Sequence, residues 1–128
     1  MIELLAVMAG GAAGALLRHL ISGAVNRVSG RLFPWGTLAV NVLGAVAIGL
    51  LAAFAAGGQG GDSLLWLLLG VGVLGSLTTV SSWALQTLYL QQEGGSRAAL
   101  LNVLGTVVLC FLAVVLGYLA GMGMSNAG

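Results

Sequence analysis

Residues 74–82 read Leu74-Gly75-Ser76-Leu77-Thr78-Thr79-Val80-Ser81-Ser82. Glycine, hydroxyl and β-branched residues favour helix weakly, yet this cluster sits inside an apolar run that extends from Leu64 to about Gln91. The run is longer than the roughly 20 residues that one straight membrane span requires. Together these features predict a broken helix, with two half-helices around an unwound turn near mid-bilayer. Main chain that leaves helical bonding at that depth survives only where protein buries it or where it lines a polar cavity.

The rest of the chain agrees with a lipid setting. Of its 128 residues 59% are hydrophobic and 5% are charged, against about 25% charged in a soluble domain. A water-soluble fold cannot cover itself with so few charges. Three further apolar runs complete an all-α, integral membrane reading: about residues 2–21, 35–56 and 98–121, with the third span at 64–91. No separate domain and no internal repeat is evident. Met1-Ile2-Glu3 lacks the positive start of a cleavable signal, so the first run is expected to be a retained span. Pro34 suits the first turn of the second helix, and Trp35 suits interface depth. The glycine-rich stretch from Gly57 to Ser63 is a turn, after which Asp62 or Ser63 is placed to cap the third span. The tail from Met122 to Gly128 is expected to be disordered.

Each span carries a small or polar stripe at helical spacing. In the first, Gly10, Gly14 and Arg18 lie four apart. In the second, Thr37, Asn41 and Gly44 share a face. In the third, Thr79, Ser82 and Gln86 align. In the fourth, Asn102, Thr106, Cys110, Ala113 and Gly117 follow one another. The glycines and Ala113 read as helix–helix contacts, because small residues let backbones approach. An amide at membrane depth needs partners, so Asn41 is either an interhelical clamp or part of a water-accessible path. Arg18 either snorkels to the interface or draws anions towards a vestibule; His19 beside it reads as an interface residue. Cys110, the only cysteine, reads as a small core residue.

Three segments in register resemble one family. Gly10–Arg18 is similar to a first-helix glycine–arginine motif, Gly36–Gly44 to a second-helix motif, and Gly75–Trp83 to a third-helix break. The family is that of the Fluc (CrcB-type) fluoride channels, and the resemblance covers nearly the whole chain. It implies small four-helix subunits paired as antiparallel dimers in the cell's inner membrane. It also implies two narrow pores along the subunit interface and passive export of fluoride from the cytoplasm. A structural Na+ would sit at the dimer centre on backbone carbonyls of Gly75 and Thr78. Asn41 matches a pore-lining asparagine, with Ser81, Ser82 and Thr79 as further hydroxyl donors unless they bond back to the preceding turn. Arg18 would be the vestibule charge.

Two departures stand out. Where the family places phenylalanines whose positive ring edges face the anion, this chain has Val80 and Trp83. Valine has no such edge; tryptophan has one, and an indole N–H besides. The arginines are also one-sided. Arg18, Arg27, Arg31 and Arg97 fall at one membrane face, and only Glu3 and Asp62 at the other. The positive-inside rule then places both termini outside and opposes insertion in both orientations. Partners are therefore fluoride, lipid, and either a second copy or a paralogous subunit that supplies the missing rings.

Other classes fit less well. A small multidrug-type proton-coupled exporter needs an embedded carboxylate, and Glu3, Asp62 and Glu93 all lie at span ends. A non-transporting membrane subunit explains the packing glycines but not the hydroxyl-rich break. No basic patch interleaved with aromatics supports nucleic-acid binding. With no acid–base pair, metal cluster or phosphate loop in the spans, the chain does not read as an enzyme.

Overall fold

A computed structural model describes residues 1–30, 32–58, 63–93 and 95–128. Among the described residues all regular structure is helical, and four helical segments are long and apolar enough to cross a membrane. The chain is a multi-pass membrane protein.

The first helix runs Ile2–Ser29, eight residues beyond its apolar run. Hydropathy marks where lipid ends, not where helical bonding ends, and no proline or left-handed glycine intervenes before Gly30, at φ 84°. The second helix runs Trp35–Ala56, with Pro34 at the N-cap rather than inside the first turn. Its start is tied to the first helix, because the Gly36 amide donates to Asn26 Oδ1 at 2.9 Å. Phe33 and Trp35 pack ring to ring at 4.7 Å.

The third span is broken, as the residues around Thr78 predict. Its first half begins at Ser63–Trp66, continues as a π-helix over Leu67–Leu74, and closes with Gly75–Leu77. Its second half is Ser81–Glu93. Between them Thr78 is extended, at φ −79° and ψ 156°. The fourth helix runs Gly95–Ala127, so the tail expected to be disordered is helical through Ala127. Arg31 and Asp62, to which the sequence reading gave a charge and a capping role, lie outside the described residues.

Small residues set the packing, as the stripes predicted. Gly10 and Gly14 are buried because the π-helical half presses its Leu68 and Val73 carbonyls against them, where no Cβ would fit. Gly49 and Gly117 play the same part between the second and fourth helices, against the Val114 and Val46 carbonyls. Backbone approach of this kind gains dispersion contacts that lipid tails cannot supply. The π-helical stretch runs along the first helix, and π segments are rare outside places where packing or function imposes them.

Candidate functional site

The break is built by two residues from different helices. Asn41, on the second helix, donates from Nδ2 to the Thr79 carbonyl at 3.0 Å, and its Oδ1 accepts from the Thr79 amide at 2.8 Å. The amide side chain therefore pairs with the peptide group of Thr79 on both sides. Of the two roles left open for Asn41, the interhelical clamp is what the geometry displays. The clamp also explains the break. In an unbroken helix the Thr79 amide would bond the Gly75 carbonyl four residues back; here that donor is given to Asn41.

The second half-helix then starts afresh. Thr79 Oγ1 accepts from the Ser82 amide at 3.2 Å, three residues on, which is the N-capping arrangement. The Ser81 and Ser82 hydroxyls gather on that same Thr79 oxygen, each at 3.3 Å. They do not bond back to a preceding turn. On the other side of the break, Thr78 Oγ1 donates to the Leu74 carbonyl at 3.0 Å, and the Thr78 amide does so at 3.1 Å. Gly44 is buried beneath Thr78, whose Cγ2 occupies the room a Cβ there would need.

Arg18 reaches inward to this turn. Its Nη1 lies 3.5 Å from the Thr78 carbonyl, at the limit of hydrogen bonding. The guanidinium thus borders the break instead of simply snorkelling, while His19 is exposed.

A cavity of about 580 Å³ opens beside the break. Asn41, Thr78, Thr79, Trp83, Thr106 and Cys110 give it its polar lining, and Gly75 and Val80 also border it. The candidate residues Asn41, Gly75, Thr78, Val80 and Trp83 thus border one cavity. Ser81, Ser82 and Arg18 are not part of that lining. Val80 is 73% exposed and Cys110 is half-buried, so the cysteine borders the cavity rather than sitting in a core.

The Trp83 indole N–H, a candidate donor to an anion, is engaged within the chain: it donates to the Asn102 carbonyl at 3.4 Å. Thr106 is 8% exposed, and its Oγ1 is a buried hydroxyl without a partner among the described residues. In the sequence it stands on the fourth-helix stripe, which by itself assigns it no role. Thr87 was missed altogether. The signal available was its position one turn after Trp83, whose carbonyl it engages at 2.7 Å.

A second, larger cavity of about 1240 Å³ lies at the arginine-bearing end. Its lining includes His19, Asn26, Arg27, Gln86, Tyr89 and Glu93. Gln86 Oε1 is likewise buried without a partner among the described residues.

Residues 5–118 match the model of the family described as "CrcB-like protein, Camphor Resistance (CrcB)". Several bacterial proteins are similar over most of their length. "Fluoride-specific ion channel FluC 2" of Rhodopseudomonas palustris (strain BisB18) is 50% identical over 119 residues, 91% of each chain. "Fluoride-specific ion channel FluC" of Magnetococcus marinus is 46% identical, covering 90% of this chain and 94% of that one. "Fluoride-specific ion channel FluC 4" of Brucella abortus biovar 1 (strain 9-941) is 44% identical, covering 88% and 86%.

Proposed function

This chain belongs to the CrcB-like family, and on that premise we propose that it is a subunit of a fluoride-specific channel that lets fluoride leave the cytoplasm passively. The observation that carries the reading is the unwound turn at Thr78–Val80, clamped by Asn41 and bordering a largely apolar cavity into which Asn41, Thr78, Thr79 and Thr106 bring polar groups. Fluoride is small and strongly hydrated, so a pathway has to replace lost water with donors. Asn41 spends one of its two amide N–H groups on Thr79, so the other is available for that work, and the buried Thr106 hydroxyl lies at the edge of the same cavity. An ion channel of this kind is not an enzyme. Proton-coupled drug export is disfavoured, because Glu3 and Glu93 lie at span ends.

The test is efflux from liposomes loaded with potassium fluoride and read with a fluoride electrode, with chloride as control. Fluoride release at a rate far above chloride supports the reading. Equal release of both anions, or none from vesicles also holding a paralogous subunit, sinks it.

An antiparallel dimer completes the pathway in this proposal. Val80 lies open on the cavity wall and carries no ring, and Arg27 and Arg97 lie at helix ends on the same side of the spans. Both observations favour a paralogous partner of opposite charge bias over a second copy. Efflux from liposomes holding this chain alone would favour the homodimer instead.

A structural Na+ between the two breaks belongs to the same proposal. Sodium is a hard cation and takes oxygen ligands, as calcium does. The Gly75 carbonyl has lost its helical donor to Asn41, and Thr78 is extended. Those two carbonyls, from each of two subunits, are a suitable donor set. Arg18 already brings one positive charge to the Thr78 oxygen, which leaves the Gly75 carbonyl the freer of the two. Replacing sodium with N-methylglucamine should lower the melting temperature of the detergent-solubilised protein; an unchanged melt removes the ion from the reading.

A further inference from the structure

The second half of the third span, Ser81–Glu93, has no buried residue, yet it carries Trp83, the one ring among the described residues that lines the cavity. A closed set of hydrogen bonds holds that ring to the fourth helix. Asn102 Nδ2 donates to Thr87 Oγ1 at 2.9 Å. Thr87 Oγ1 donates its own proton to the Trp83 carbonyl at 2.7 Å. The Trp83 indole Nε1–H donates to the Asn102 carbonyl at 3.4 Å. A hydroxyl has one proton to give and two lone pairs to accept with, so Thr87 serves both neighbours at once. Asn102 is 1% exposed. An amide so deeply buried keeps its bonds, because an unpaired one is costly in low dielectric.

We infer that Thr87 and Asn102 are positioning residues for Trp83, fixing the plane in which its indole borders the cavity. With its N–H engaged by Asn102, the ring offers the cavity carbon only: a C–H edge, where the quadrupole is positive, and a π face, where it is negative. Which of these meets an anion depends on rotation about the side chain, and that rotation is what the Asn102 carbonyl restrains. The inference rests on the fluoride reading for its functional half and not for its geometric half.

The experiment uses full-length protein with Trp35→Phe and Trp66→Phe, which leaves Trp83 as the sole indole among the three tryptophans of the chain. Thr87→Val keeps the shape and removes the hydroxyl; Thr87→Ser restores it; Thr87→Ala is the alternative should the valine variant not fold. Steady-state anisotropy of Trp83 and fluoride efflux are read on each. Thr87→Val should lower the anisotropy and slow efflux by about three- to tenfold, the range one lost hydrogen bond commands, and Thr87→Ser should restore both. When Trp83→Phe is added in the liposome assay, Thr87→Val should have no further effect on efflux beyond about twofold, since coupled residues are not additive. Unchanged anisotropy in Thr87→Val, or an equal loss of efflux with and without Trp83, overturns the inference. Efflux is read in vesicles that also hold the paralogous subunit; should the starting protein pass no fluoride even there, the fluoride reading fails, and the anisotropy comparison still decides the positioning role.

Discussion

The two halves of the third span are held by opposite means. The first half, with its π-helical core at Leu67–Leu74, is apolar and glycine-bearing, and it lies against Gly10 and Gly14 by shape alone. The second half, Ser81–Glu93, buries nothing fully and is fastened by polar bonds: the Asn41 clamp, the Thr79 cap and the Thr87–Asn102 pair. Shape packing tolerates no added atom but is indifferent to polarity. Polar fastening tolerates changes of size but not the loss of a donor or acceptor. Both halves border the cavity, the first through Gly70, Leu74 and Gly75 and the second through Trp83, so the shape-packed and the hydrogen-bonded half meet there.

Substitutions can separate these two modes. The largest effect is expected for Gly14→Leu, because its Cβ would meet the Val73 main chain, which has nowhere to move. Overpacking of this kind costs about 3 kcal/mol at the upper end of its usual range, and a thermal melt by size-exclusion chromatography should show little folded protein. A normal melt would mean the first half is not held by shape. Asn41→Leu keeps the bulk and strips both bonds from the Thr79 peptide, at roughly 2 kcal/mol, and should abolish selective efflux. Retained efflux would detach the clamp from function. Thr79→Val removes the cap for about 1 kcal/mol, and Thr79→Ser should recover most of the lost melting temperature. Last, Val80→Phe adds a ring at an open position, so stability should move by less than about 0.5 kcal/mol. Efflux by the chain alone should rise, and a fall would argue that no ring is missing there.

Much of this was legible in the sequence because membrane folds write their constraints in one dimension. Four apolar runs gave the spans, and the weak helix formers from Gly75 to Ser82 located the break to within a residue or two. Asn41 was visible as an amide that needed partners. What it would pair with was not, since Thr79 lies 38 positions away and only the folded arrangement joins them. Helix ends were misjudged where polar residues continue a helix past the lipid, as in Ser22–Ser29. The π-helical register was invisible, because it depends on how Leu68 and Val73 meet two glycines. The tether of Trp83 was hidden for the same reason: the indole donor looked free until the fourth helix was placed beside it.

The carboxamide of Asn41 has the same layout of donor and acceptor as a peptide group, so one side chain serves the Thr79 main chain as a neighbouring strand would. Its chemistry leaves little room for exchange. Conversion of Asn41 to aspartate, by mutation or by slow hydrolysis of the amide, swaps a single heavy atom and sets oxygen against oxygen at the Thr79 carbonyl. A lesion of one atom would then reverse a contact from attraction to repulsion at the point where the span changes direction.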